Sequence, residues 1–533
     1  MPQPPAIVDS QFEQVLRWGL NASADCAIGV LIGVLLARTL RRRNLHWSWA
    51  AVPLLPLGLA GTGIGVHTGT LLLACVTASA RGRRWHRQDR AAGADLAGLA
   101  AERTRPRDVL EGALRRAALR RLHGARSAAW VVRGQLLLGT DARSHPVRIP
   151  FDSAGGGVHT LTVGATGSGK TVTQAWIAVR SISHGMGAIV IDPKGDHAMR
   201  EQLAAAAHAS GRRLIEWRPD GRTVYNPYAR GSDTEIADKV LAGERFTEPH
   251  YLRQAQRYIG HAVRAMRSSG IEVSLQGIVA QLDPERLERL VRDLPEADAD
   301  ATHAYLDSLT ARQRSDLAGV RDRLAILTES DVGRWLDPRT RGTRFDLLDA
   351  VQRRSVVYFN LEADSRPLLA QMLGAAIVQD LQTAVASLQG APVATLIVID
   401  EFSALAAEQI VRLFGRARSA GFSLVLGTQE LSDLRPPGRE RLLEQVMGNL
   451  STLIVHRQVV PASAELVASV AGMRGAWRVS HHSDGRSTRT RTREPVMSAD
   501  HVMALETGDA AVIVLTAGRS ARTARILSPA LDA

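Results

Sequence analysis

This sequence predicts a mostly parallel α/β sheet with helices on both faces, an inserted all-α subdomain, and an N-terminal transmembrane helical segment. Three observations carry that prediction. Short apolar runs alternate with helical patterns from about residue 127 onward, one of them joined to its helix by a glycine-rich loop. The stretch 234–340 loses its β-branched runs and reads as helix after helix. Ahead of both lie long uncharged stretches flanked by arginine and tryptophan.

The glycine-rich loop is Gly164-Ala165-Thr166-Gly167-Ser168-Gly169-Lys170-Thr171, a full match to GxxxxGK[ST]. It follows the apolar run His159 to Val163 and opens a helix with Val172, Ala175, Trp176, Val179 and Ile182 on one face, the setting that a phosphate-binding loop requires. Glycines let successive N–H groups and the helix N-terminus face the phosphates of ATP. Lys170 supplies a point charge to the outer phosphates and Thr171 a hydroxyl to Mg²⁺. The competing reading is a turn that binds nothing. Composition weighs against it: lysine occurs only at 170, 194 and 239, and the other 63 basic residues are arginine. A position that keeps a compact ammonium against that bias needs one.

Length and composition set the outer limits. A chain of 533 residues allows roughly two to four ordinary domains. Its net charge of +13 points to an anionic partner, nucleic acid or a lipid surface. The only cysteines, Cys26 and Cys75, lie far apart in apolar stretches and indicate neither a disulfide framework nor a thiolate metal site.

In chain order, residues 1–17 read as an unstructured polar lead and 18–80 as a membrane anchor. Trp18 to Ala37 is apolar apart from Asn21 and Asp25 and ends at Arg38 and Arg41 to Arg43, while Trp47 to Ala80 carries no formal charge. Two spans are the preferred reading, although they would put Arg41 to Arg43 outside; one span or a re-entrant segment would remove that conflict. Residues 81–126, with thirteen arginines against five acids, read as a basic helical linker against anionic headgroups.

The first part of the α/β domain is 127–233, and the second is 341–533. Val131 to Leu138 and Val147 to Phe151 make a hairpin leading to the loop. Ala188 to Asp192 is a strand ending in Pro193-Lys194-Gly195-Asp196, where turn chemistry and ligand contact compete evenly. Thr395 to Ile399 is an apolar strand ending in Asp400 and Glu401. Behind a complete phosphate loop, Asp400 is expected in the Mg²⁺ shell and Glu401 as the group that orients and activates water. Gln429, at the end of the strand Ser423 to Leu426, could sense the outer phosphate, and Arg418 could reach a neighbouring subunit's nucleotide. Arginines 486, 489, 491 and 493 could face one side of an edge strand and contact nucleic-acid phosphates, or belong to a solvated hairpin.

Assembled, GATGSGKT at 164–171, IDPKGD at 191–196, the helical insertion after Tyr225-Asn226-Pro227, LIVIDEF at 396–402 and the order RSAGF then GTQ from 418 to 429 resemble the conjugative coupling proteins of type IV secretion. These are membrane-anchored P-loop (RecA-like) ATPases within the larger FtsK-like and HerA-like group. The resemblance implies ATP and Mg²⁺ at Lys170, Thr171, Asp400 and Glu401, Gln429 as sensor and Arg418 as a trans finger. It further implies a homo-hexamer in the bacterial inner membrane, an all-α domain that recognises DNA and the relaxosome, single-stranded DNA with its relaxase as cargo, and secretion-channel proteins as partners. Three readings follow: an ATP-driven motor or gate serving a channel, an FtsK-like duplex translocase acting alone, or a nucleotide-regulated receptor for secretion cargo.

Overall fold

The computed structural model describes residues 7–43, 45–54, 66–91, 130–142, 145–151, 156–244, 246, 248–405, 407–436, 441–481, 487–516 and 519–529. The chain divides into two compact units, Met1–Ala118 and Leu119–Ala533. Most of the basic linker expected over 81–126 lies outside the described residues.

In the first unit, the helix of the apolar segment runs from Ile7 to Arg42. This corrects the unstructured lead expected over 1–17: Pro2, Pro4 and Pro5 precede the helix, and from Ile7 to Arg17 no glycine or proline interrupts it. Its part Glu13–Arg42 is long and apolar enough to cross a membrane. The 34-residue uncharged stretch resolves, where described, into a 3₁₀ segment, Trp47–Leu54, and the first part of a helix, Val66–Ala91. The two long helices pack through Gly29 and Gly33, where a Cβ would come within 2.9 Å of the Thr70 carbonyl and 2.6 Å of the Ala74 carbonyl. Further along, the Arg41 guanidinium sits 5.1 Å from the Trp85 ring. Residue numbers rise together along both helices, so they run parallel. Arg41 to Arg43 therefore share one end with Arg81 to Arg84, unlike the antiparallel pair of an ordinary two-span hairpin.

The second unit is organised by one sheet. Its parallel part has the order Leu214–Trp217, Val356–Asn360, Gly187–Asp192, Thr395–Ile399, Phe422–Thr428, His159–Val163 and Thr452–Val455. Antiparallel strands Asp509–Val514, Ser520–Ile526 and Gln135–Thr140 extend it on one side. The first hairpin is shorter than the sequence pattern suggests, because a turn at Arg133 and Gly134, both at positive φ, folds Val131–Val132 back on Gln135–Leu136.

Both faces of the inner parallel strands are buried, as continuous Val, Ile and Leu runs require. Ile189, Ile191, Ile397 and Ile399 pack on one face, and Ala188, Val190, Leu396 and Val398 on the other, with Trp176 of the phosphate-loop helix. Six helices from Asp233 to Thr328 follow one another between Thr223–Tyr225 and Thr343–Phe345, two short strands that pair in parallel. Helix Pro367–Ser387 is also long and apolar, but most of it is buried in this core.

A buried ion pair ties the helical region to that core. Lys239, from the helix Asp233–Leu241, donates to Asp380 Oδ1 at 2.7 Å and to the carbonyls of Pro227 and Arg230 at 3.0 and 2.7 Å, while the Tyr225 hydroxyl donates to Asp380 Oδ2 at 2.8 Å. All three ammonium donors are satisfied, so the charge is tolerated where only 1% of the residue is exposed. Lys239→Ala strands a buried carboxylate and is expected to cost about 3–5 kcal/mol, read as a lowered thermal midpoint, with Lys239→Met/Asp380→Leu recovering much of the loss.

His159 opens the strand that leads to the phosphate loop. Its Nδ1 accepts the Leu424 N–H at 3.3 Å, and burial, aided by the charge of Arg418, pushes its pKa down to about 4. The unfolded chain then binds this proton more readily than the folded one. Stability should fall as pH drops from about 6.5 toward 4, and His159→Gln should flatten that decline in a series of thermal melts.

Candidate functional site

The parallel register brings four strand ends to within two residues of one height: Val163 pairs with Thr428, Leu426 with Ile399, and Ile399 with Ile191. Everything that follows these residues gathers along one edge, where open α/β sheets bind ligands. The loop 164–169 follows the first strand, Gln429 the second, Asp400 and Glu401 the third, and Lys194 lies two residues beyond Asp192 on the fourth.

The loop fits a phosphate group. Gly167 and Gly169 have φ of 77° and 107°, and a Cβ on Gly164 would lie 2.5 Å from Ser168 Oγ and 2.8 Å from the His456 Cβ, so the curl closes only with glycine. Ser168 Oγ is buried and has no protein partner among the described residues. The helix Lys170–Ser183 begins immediately behind the loop and aims its unpaired first N–H groups at the same concavity. Lys170 is buried, and its Nζ lies 3.0 Å from Asp400 Oδ1 and 2.8 Å from Glu401 Oε1. Thr171 is half-buried one position further on.

Glu401 collects donors. Its Oε1 accepts from Lys170 Nζ at 2.8 Å, Lys194 Nζ at 3.1 Å and Gln429 Nε2 at 3.1 Å. Burial opposes its ionisation, but the hydrogen bond and charge of Lys170, with Gln429 and Lys194, outweigh it and hold the carboxyl below its ordinary range. The backbone of Glu401 is itself in the left-handed region, φ 46°, a conformation that costs roughly 1–2 kcal/mol for a non-glycine residue. Asp400 is buried, and besides Lys170 it accepts from Gln174 Nε2 at 3.3 Å. No group of three His, Cys, Asp or Glu able to hold a metal alone occurs among the described residues. A divalent ion here would be held by phosphate oxygens with Thr171 and Asp400, the sparse protein coordination that suits Mg²⁺.

The structure thus brings Lys170, Asp400, Glu401 and Gln429 together. Arg418 lies elsewhere: it precedes the strand Phe422–Thr428, at the opposite end of the sheet from Lys170, and its Nε donates to the Gly157 carbonyl at 3.1 Å. It cannot reach the loop of its own protomer.

Several supporting residues escaped the sequence reading. Gly427 leaves room for Asp400 and Gln174, whose side-chain atoms would lie 2.3 and 2.2 Å from a Cβ there. His456, at the end of the strand Thr452–Val455, bonds Thr173 Oγ1 through Nε2 at 2.8 Å and the Asp509 carbonyl through Nδ1 at 3.1 Å; burial pushes its pKa down to about 4. Thr507 Oγ1 and the Gly508 N–H donate to the carbonyls of Gly167 and Ser168. Their one sequence signal was position, since His456 follows an apolar strand as Gln429 does; Gly508 and Thr507 come from a distant loop and carried none.

Residues 394–507 match the family described as the TraM recognition site of TraD and TraG. An uncharacterized protein of Mycoplasma pneumoniae is 30% identical over 105 residues, 20% of this chain and 70% of that protein. Among solved structures, the bacterial conjugative coupling protein TrwBdeltaN70 in its unbound form shares the fold with a TM-score of 0.54 and 16% identity, over 76% of this chain and 91% of that one. TrwB in complex with ADP and Mg²⁺ gives 0.51 and 16% over 75% and 91%, and VirB4 of Thermoanaerobacter pseudethanolicus gives 0.50 and 14% over 75% and 97%. The family match thus covers the C-terminal section of the chain, and the likeness to these coupling-protein and VirB4 structures shows a fold shared over three quarters of its length.

Proposed function

We propose that this protein is a membrane-anchored ATPase that recruits DNA or a nucleoprotein and drives or gates its transfer through a type IV-like conjugation channel. The observation that carries the catalytic part is the convergence of Lys170, Asp400, Glu401 and Gln429 at one sheet edge, directly behind a glycine loop shaped for phosphate. Bound Mg²⁺ would polarise the outer phosphates and neutralise charge on them. Lys170 neutralises charge on the same oxygens, Thr171 and Asp400 hold the ion, and Glu401 orients water and takes its proton. Gln429, bonded to Glu401, is placed to report the occupancy of the site to the strand behind it. Arg418, at the far end of the sheet, is left for a neighbouring subunit's nucleotide in a homo-hexamer.

The anchor reading is supported by Glu13–Arg42 and by the exposed apolar side chains Trp18, Leu31, Leu35 and Val76 of the two long helices. Their parallel course lets both arginine clusters face the cytoplasm, as the positive-inside tendency asks, with the N-terminus on the other side. The DNA reading is supported by the net charge of +13 and by the match to a region named for TraM recognition. The relaxosome, its relaxase and the channel proteins follow from the same likeness.

Hydrolysis by the purified chain, measured alone, with single-stranded DNA and with duplex DNA at one moderate salt concentration, tests the motor. Stimulation by single strands is expected; stimulation by duplex alone would favour the self-sufficient translocase, and bound but unhydrolysed ATP the regulated receptor. Glu401→Gln should keep ATP binding and lower turnover by about 10²-fold or more; unchanged turnover would remove Glu401 from the mechanism. An epitope on the N-terminus should be accessible from outside intact spheroplasts, while one on the C-terminus should not.

A further inference from the structure

The turn after the strand Gly187–Asp192 is built around its own aspartate. Asp192 Oδ1 accepts the N–H groups of Lys194 and Gly195 at 2.9 and 3.0 Å, and Oδ2 accepts that of Asp196 at 2.7 Å. The Tyr358 hydroxyl of the adjacent strand donates to the same Oδ2 at 2.6 Å. Gly195 has φ 75°, and a Cβ there would lie 2.6 Å from Asn360 Oδ1. Turn chemistry therefore accounts for Asp192, which is buried with both oxygens engaged, and for Gly195. It does not account for Lys194.

Lys194 leaves the turn and ends 3.1 Å from Glu401 Oε1. Its side chain is 44% exposed, so nothing in the packing forces it there. Three donors converge on that one oxygen, and no described residue donates to Oε2. Lys170 also serves Asp400 and, on the reading above, the outer phosphates. Lys194 is then the cation dedicated to Glu401. A compact ammonium suits a crowded single oxygen, whereas a guanidinium would fork across both and capture Oε2. That is a reason for lysine in a chain whose basic residues are arginine at all but three positions.

We infer that Lys194 is a positioning residue for hydrolysis: it grips Glu401 by Oε1 and leaves Oε2 free to face the attacking water. The inference rests on the ATPase reading and assigns a role that the turn alone does not need.

The test compares full-length parent, Lys194→Ala and Lys194→Arg for thermal midpoint, affinity for a non-hydrolysable ATP analogue, and kcat. Both variants should melt with the parent, bind the analogue within about twofold of it, and lose about tenfold or more in kcat. A Lys194→Ala kcat within about twofold of the parent would overturn the role, as would affinity falling in step with kcat, which would make Lys194 a phosphate contact. Full activity in Lys194→Arg would also overturn it, because charge alone would then suffice. A parent that does not hydrolyse ATP would defeat the ATPase reading itself, a result distinct from an active parent matched by an active Lys194→Ala.

Discussion

One carboxylate oxygen, Oε1 of Glu401, sets the demands that the rest of the α/β unit meets. Lys170, Lys194 and Gln429 reach it from three separate strand ends, while the residue that bears it sits in a left-handed backbone conformation. Such a meeting needs the C-terminal ends of neighbouring strands at similar height, and the parallel sheet supplies that, with ends within two residues of one another. An exposed glutamate would spread its interactions over water. Here burial makes each donor matter more, because a partly buried charge is poorly screened and its partners are few.

The economy of lysine follows from the same electrostatics. Each of the three lysines is paired with an acid: Lys170 with Asp400 and Glu401, Lys194 with Glu401, and Lys239 with Asp380. Lys239 shows what an ammonium does that a guanidinium does not, since its three donors point to two carbonyls and one carboxylate in a space almost closed to solvent. Arginine covers the exposed surface, where a charge needs no particular geometry. Several of its pairs there, such as Arg17 with Glu13, are the solvent-exposed kind that contribute little.

The two apolar helices solve a different constraint. Gly29 and Gly33 let their backbones approach where any side chain would collide with the carbonyls of Thr70 and Ala74. At the end they share, Arg41 and Arg81 stack on Trp85, and Arg83 on Trp47. Cations on aromatic faces at one end of an apolar pair are the arrangement expected of an interfacial belt. The parallel course also removes the conflict of charge that an antiparallel pair would have had.

Much of this was readable from residue order. Local chemistry determined the phosphate loop, because glycine spacing, a following helix and a retained lysine are all short-range features. Strand period and apolar runs likewise determined the α/β class, the helical stretch, and the pairing of a carboxylate strand with the loop. What the sequence left open was everything that depends on strands far apart in the chain becoming neighbours. The register decides that Lys194 meets Glu401 across 207 residues and that Gly427 must be glycine because Gln174 and Asp400 fill the space above it. It also decides that His456, Thr507 and Gly508 brace the loop, and that Arg418 lies at the opposite end from the phosphates. The direction of the second apolar helix was undetermined for the same reason. Hydropathy reports how much of a segment avoids water, whereas only packing against a partner decides which way it runs.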